Sequence, residues 1–143
     1  MSIRRAHAPD AERIGDLMRQ LGYDVPTQEI AARLARRNPQ RAVLVADDGS
    51  GALGWAAVCV EEGFVEGRVA WIEGFVVDER ARSSGVGANL LDAAEAWARD
   101  RGCTTMRVQS NVLRERAHGF YERHGYTKIK AQYAFRKTLE APA

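Results

Sequence analysis

Phe75-Val-Val-Asp-Glu-Arg-Ala-Arg-Ser-Ser-Gly-Val-Gly-Ala-Asn-Leu-Leu91 is the stretch that decides how this chain folds. An apolar run leads into a basic turn with two glycines, and the turn opens into a helix of apolar periodicity. This arrangement suits a pyrophosphate. Gly85 and Gly87 have no side chains to block a ligand, and N–H groups in the first turn of the helix point, unpaired, at whatever anion sits there. Arg82 can add a bidentate, charge-assisted contact to a phosphate oxygen. Two common phosphate motifs fail at their fixed offsets. A Walker A loop needs Gly-Lys-Ser/Thr, and Gly87 is followed by Ala88 and Asn89. A dinucleotide fingerprint needs a small residue where Leu90 stands and an acidic residue at the end of the next strand, which reads Val108, Gln109, Ser110.

Downstream lies a second element, Asn111-Val-Leu-Arg-Glu-Arg-Ala-His-Gly-Phe-Tyr-Glu-Arg-His-Gly-Tyr126. Together the two resemble the GNAT superfamily of acetyl-CoA-dependent N-acetyltransferases. The family's Arg/Gln-x-x-Gly-x-Gly/Ala turn fits Arg82-Ser83-Ser84-Gly85-Val86-Gly87-Ala88 without a gap. Its later motif, an Asn followed by a helix carrying Ala-x-x-Phe-Tyr-x-x-x-Gly-Phe/Tyr, falls in register with Asn111, Ala117, Phe120, Tyr121, Gly125 and Tyr126. The resemblance spans nearly the whole chain and is uninformative about the acceptor.

Composition sets outer bounds. At 143 residues the chain is expected to be one domain, with a formal net charge of +2 that argues for neither nucleic acid nor an anionic membrane. Arg33, Arg36 and Arg37 form the one dense basic group and read as a solvated helix face. Cys59 and Cys103 sit in apolar strand segments, as small core residues do. With no signal peptide and no run of membrane-spanning length, the chain is expected to be soluble and cytoplasmic.

Along the chain, the pattern predicts a short opening strand over Ser2 to Ala6. A helix follows with Ala11, Ile14, Leu17, Met18 and Leu21 on one face, stopped by Gly22. A second helix ends at Asn38-Pro39. Arg41 to Asp47 and Ala52 to Glu62 are strands around the hairpin signal Asp47-Asp48-Gly49-Ser50-Gly51, and a third strand covers Arg68 to Val77. A helix from Val86 to about Arg101 and a strand from Thr104 to Gln109 complete a βαβ unit, whose strands should be parallel. A helix from about Leu113 to His124 and strands near Tyr126 to Lys130 and Gln132 to Leu139 close the domain. The fold class is α/β: a mixed, mostly antiparallel, twisted sheet of six to seven strands with about four helices.

The resemblance implies roles. The parallel pair splays to hold coenzyme A, with backbone groups of Phe75, Val76 and Val77 pairing the pantetheine amides and a valine N–H facing the thioester oxygen. Acetyl-CoA is the expected co-substrate, and no metal is expected. Tyr121 stands where the family places the acid for the leaving thiolate, and Asn111 either caps its helix or bonds the pantetheine. Glu73 is the candidate base, and strict strand alternation puts it on the face of Phe75, Val77 and Trp71. His118 and His124 share a helix with Tyr121 but lack a third ligand, and read as surface or supporting residues. Tyr23, Asp24, Trp71 and Tyr133 are candidate acceptor contacts, with the turn Glu61 to Gly67 as a further wall. Three readings follow: a small-molecule amine acetyltransferase, a protein or peptide acetyltransferase, and a non-catalytic acyl-CoA sensor. Homodimerisation through Gln132 to Leu139, or closure of the sheet by that segment within one chain, are both open.

Overall fold

In a computed structural model, residues 1–110, 112 and 114–140 are described. They fall into two compact units, Met1–Gln109 and Ser110–Ala143.

The first unit is a five-stranded sheet in chain order: β1 (Ser2–Arg5), β2 (Arg41–Asp47), β3 (Ala52–Gly63), β4 (Gly67–Val77) and β5 (Met106–Val108). The first four strands are antiparallel, and for β2 to β4 the short connections dictate it. β4 and β5 are parallel, joined by the helix α3 (Val86–Asp100). The helices α1 (Ala11–Gln20) and α2 (Thr27–Ala35) fill the connection between β1 and β2. Ile14 and Leu17 of α1 and Ile30 of α2 pack with Val45, Trp55 and Val76 on one face of the sheet. Leu90 of α3 packs with Ala46, Ala56, Phe75 and Val77 on the other. Toward the far end of that second face, Ala98 meets Val60, Ala70 and Cys103.

β4 departs from simple alternation. Gly74 pairs with Ala57 and Ile72 with Val58, so Glu73 is an extra residue bulged out of the ladder. Phe75 is matched with Ala56, whereas Trp71 is matched with Cys59, three positions along β3 and therefore on the opposite face. The expectation that Glu73 shares one face with Phe75, Val77 and Trp71 is corrected by this bulge.

In the second unit the helix α4 spans Glu115–Arg123, and Gly125, whose φ is 91°, turns the chain away after it. The strands expected near Tyr126 to Lys130 and Gln132 to Leu139 are not formed, and the described residues hold five strands rather than six or seven. Thr127 to Glu140 contains no Gly, Pro, Asn or Asp, so nothing in it favours a tight reversal that would pair the segment with itself. Ile129, Tyr133, Phe135 and Leu139 share one strand phase and are all exposed. Among the described residues no helix is long and apolar enough to cross a membrane.

Candidate active site

The β4–β5 ladder runs from Ala70↔Met106 to Ile72↔Val108 and stops, while β4 continues, paired with β3, to Val77. The Asp78 N–H is donated back to β3, to Leu53 O at 2.7 Å. Because backbone groups alternate sides along a strand, the Val77 N–H is directed to the other edge, where β5 no longer runs. That refines the choice between the two valines: Val77, not Val76, offers its N–H on this side.

Beyond Val77 the chain enters a 3-10 turn, Glu79–Ala81, and then the glycine loop. Ser83 has φ 66° and Gly85 φ 88°, two left-handed residues that swing the chain into α3. Gly85 is the residue just outside α3; no side chain caps the helix, and the first bond back is from Asn89 N–H to Gly85 O at 3.1 Å. The N–H groups of Val86, Gly87 and Ala88 therefore have no intrahelical acceptor. A Cβ built on Gly85 meets no atom within 4 Å, so open space lies over the turn. Ser84 Oγ donates to Ala81 O inside the loop. Arg82, half-buried, makes no ion pair with any described residue. An edge for an extended amide chain, leading to a helix N-terminus with a nearby guanidinium, fits the pantetheine and pyrophosphate of a coenzyme A thioester.

Glu73 sits on the bulge with its carboxylate 2.5 Å from Arg41 Nη1 of β2. Trp71 is half-buried, and the Arg107 guanidinium lies 4.6 Å from its ring centroid while also pairing with Glu66. Cys59 is buried between them in the ladder, and desolvation with the neighbouring Glu73 pushes its thiol up to about 11, which makes it a poor nucleophile. A cavity of about 260 Å³ opens beside this row, lined by Glu61, Phe64, Val65, Glu66, Val69 and Trp71 among others. Tyr23 and Asp24 lie on the exposed loop after α1. Asp24 faces Arg19 at 3.9 Å, and neither residue bonds to any other candidate.

In the second unit Tyr121 is half-buried on α4. Its ring stands edge-on to Phe120 at 5.5 Å and tilts against Tyr126 at 5.7 Å. Burial pushes its phenol up to about 12, opposed by Arg114. A free phenol near 10, expected from sequence, is thus corrected to a weaker acid that stays protonated at any ordinary pH. His124 Nδ1 lies 2.8 Å from Phe120 O, within its own helix. Tyr133 is 91% exposed, and Asn111 lies outside the described residues.

One group escaped the sequence reading. Asp78, only 3% exposed, accepts from Arg13 of α1 and, at 3.2 Å and 3.1 Å, from the backbone and side chain of Arg80. The available signal was an Asp closing an apolar strand before a turn, a common capping position.

The sequence model described as Acetyltransferase (GNAT) family matches residues 9–126, a span that includes the β4 edge, the glycine loop and α4. The chain belongs to this family. It is a GNAT acyltransferase that uses acetyl-CoA as co-substrate. The chain is 32% identical to an aminoglycoside N(6')-acetyltransferase type 1 of Stenotrophomonas maltophilia, with 99% of this chain and 96% of that protein covered. It is 37% identical to glucosamine 6-phosphate N-acetyltransferase 1 of Oryza sativa subsp. japonica over 81% of this chain and 74% of that protein. A solved structure of AAC(6')-Iy with the bisubstrate analog CoA-S-monomethyl-acetylneamine superposes at a TM-score of 0.84, with 22% identity over 96% of this chain and 98% of that one. The GNAT fold is therefore shared well beyond recognisable sequence similarity.

Proposed function

We propose that this GNAT enzyme acetylates a primary amine of a small cationic molecule of the amino-sugar class, including multiply charged aminoglycosides. The observation that carries the donor half is the β4 edge that outruns β5 and leads into the glycine loop. The acceptor half is supported by the near full-length likeness to an aminoglycoside acetyltransferase and by Glu61 and Glu66 at the cavity beside Trp71. The Glu61 carboxylate attracts an ammonium there, while Trp71, stacked by Arg107, and Glu66, paired with Arg107, form the wall beside it. Tyr23, Asp24 and Tyr133 complete the proposed contacts.

In the reaction, Phe75 and Val77 hold the extended arm, and Val77 N–H stabilises the oxyanion as the amine attacks the thioester carbonyl. Val76 lines the strand from its buried side. Arg82 and the loop Ser83, Ser84, Gly85, Val86, Gly87 and Ala88 hold the pyrophosphate. The C–N bond forms and the C–S bond breaks. The amine proton passes to Glu73, and Tyr121 hydrogen-bonds the departing thiolate, which then takes its proton from solvent. A phenol near 12 facing a thiol near 8.5 makes complete transfer uphill by about 5 kcal/mol, so Tyr121 acts chiefly as a hydrogen-bond donor while negative charge builds on sulfur. Asn111 supports the pantetheine from the segment before α4. The chain works as a single cytoplasmic acetyltransferase domain. Its exposed Ile129 to Leu139 stripe supports a homodimer. A peptide amine is the second reading, favoured by Phe64 and Val65, which stand exposed beside the cavity.

The test is free-thiol release from acetyl-CoA against aminoglycosides, amino-sugar phosphates, simple amines and peptides. Release with amino sugars that is lost in Gly87→Glu is the expected result. Release with peptides alone would transfer the assignment to the second reading, and tight acetyl-CoA binding without release on any amine would favour a sensor.

A further inference from the structure

Asp10 and Asp78 are the buried charged residues among those described. Asp10 has a structural explanation: Arg4 grips both its oxygens at 2.8 Å and the His7 N–H closes on it at 2.9 Å, pinning the start of α1. Asp78 stands at the last step before the glycine loop, and its partners come from three directions. Arg13 reaches it from α1 while donating its Nε to Ala52 O of β3 at 2.9 Å. Arg80 meets it from the 3-10 turn. Its own backbone is tied to Leu53 of β3 through its N–H and to Ala81 N–H, at 2.8 Å, through its carbonyl. Gln20, at the end of α1, accepts from Glu79 N–H at 3.2 Å, so the helix grips the turn twice.

The loop that follows needs such an anchor. Ser83 is the non-glycine residue with positive φ among the described residues, a conformation that persists only where its surroundings over-determine it. α3 fixes the loop at its far end, and the Asp78 cluster fixes the near end. We infer that Arg13 and Asp78 are positioning residues for the acetyl-CoA pyrophosphate: they touch no part of it, and they set the path of Glu79 to Gly85 so that the α3 N–H groups converge on it. The inference rests on the assignment of the glycine loop to the coenzyme.

Acetyl-CoA affinity by calorimetry, turnover at saturating acetyl-CoA and thermal melting are to be measured on Asp78→Asn, Arg13→Lys and Gly87→Glu. Asp78→Asn keeps the shape and removes the charge. Arg13→Lys keeps the charge and loses the fork that spans Ala52 O and Asp78, and it decides the matter should Asp78→Asn fail to fold. The expected result is affinity weakened about tenfold or more in both, with turnover at saturation within about threefold of wild type, since ground-state positioning and not the chemical step is affected. Folded variants with a lower melting temperature and unchanged affinity would overturn the inference, leaving Asp78 a fold-stabilising residue only. Unchanged affinity in Gly87→Glu would instead overturn the assignment of the loop itself.

Discussion

Gly85 and Tyr121 show how much a single residue's surroundings decide. At Gly85 the backbone is left-handed and the Cβ direction is empty, so Gly85→Ala introduces strain without a clash. The expected cost is about 1–2 kcal/mol of stability, read in denaturant unfolding, together with weaker acetyl-CoA binding because the methyl enters the space over the turn. Tyr121 is legible as a position, since it stands in the Phe-Tyr-x-x-x-Gly-Tyr pattern, but its acidity is not, because burial is a property of the fold. With a phenol raised from 10.0 to about 12, the folded protein keeps its proton while the unfolded chain loses its own. Stability is therefore lost as pH rises between those values, and Tyr121→Phe should flatten that alkaline slope. In the same variant turnover should fall about 10- to 100-fold, with the acetyl-CoA KM little changed. The wild-type rate should show no alkaline limb from this group below about pH 11.

At the scale of the element, β4 is the instructive case. Its apolar alternation predicted a strand with nearly correct ends, and the βαβ spacing predicted its parallel partner. The period of two carries no sign of the bulge at Glu73, although a glycine in a strand interior, here Gly74, often marks one. Gly74 is also where Trp55 lies across the sheet: a Cβ there would come within 2.8 Å of the indole ring. Trp55 is 5% exposed and cannot swing aside without disturbing the α1 core. Gly74→Ala should destabilise the protein by about 1–3 kcal/mol, checked by urea unfolding with Trp fluorescence. The bulge also explains why the acceptor candidates were only partly legible. It puts Phe75 and Val77 on the face opposite Trp71, which a regular period of two does not foresee, while Glu73 pairs with Arg41 of β2. The Tyr126 to Leu139 segment fails for a different reason: its alternation is real, but a strand exists only through a partner, and a period cannot name one.

For the whole molecule, two buried aspartates join distant parts of the first unit, Asp10 linking β1 to α1 and Asp78 linking α1, β3 and the glycine loop. Hydrogen bonds from Arg4 hold the Asp10 carboxyl below its usual 3.8. At Asp78 burial works to raise the value, but bonds from Arg80, Arg13 and Gln20 outweigh it and hold the carboxyl well below that range. Both contribute stability that is present above pH 4 or so and is lost as pH falls toward their folded values. Melting temperature should be level from neutral pH to about 5 and drop below about 4; Asp78→Asn should melt lower at neutral pH and show a shallower acid decline. The buried pairing that produces this behaviour was invisible in sequence, where Asp10 and Asp78 look like ordinary helix and turn caps.

The strands at the two sides of the sheet are also its shortest, β1 with 4 residues and β5 with 3, against 12 and 11 for β3 and β4 inside. Short outer strands give another protein chain little to pair with, which keeps such sheets from sticking to one another. The end of β4 at Val76 and Val77 is the exception, because it is apolar and past the reach of β5. Whatever makes room there for an extended thioester arm also makes room for a stray strand, so the cost of the coenzyme groove is a propensity to aggregate, and saturating coenzyme A should slow the growth of light scattering when the protein is warmed.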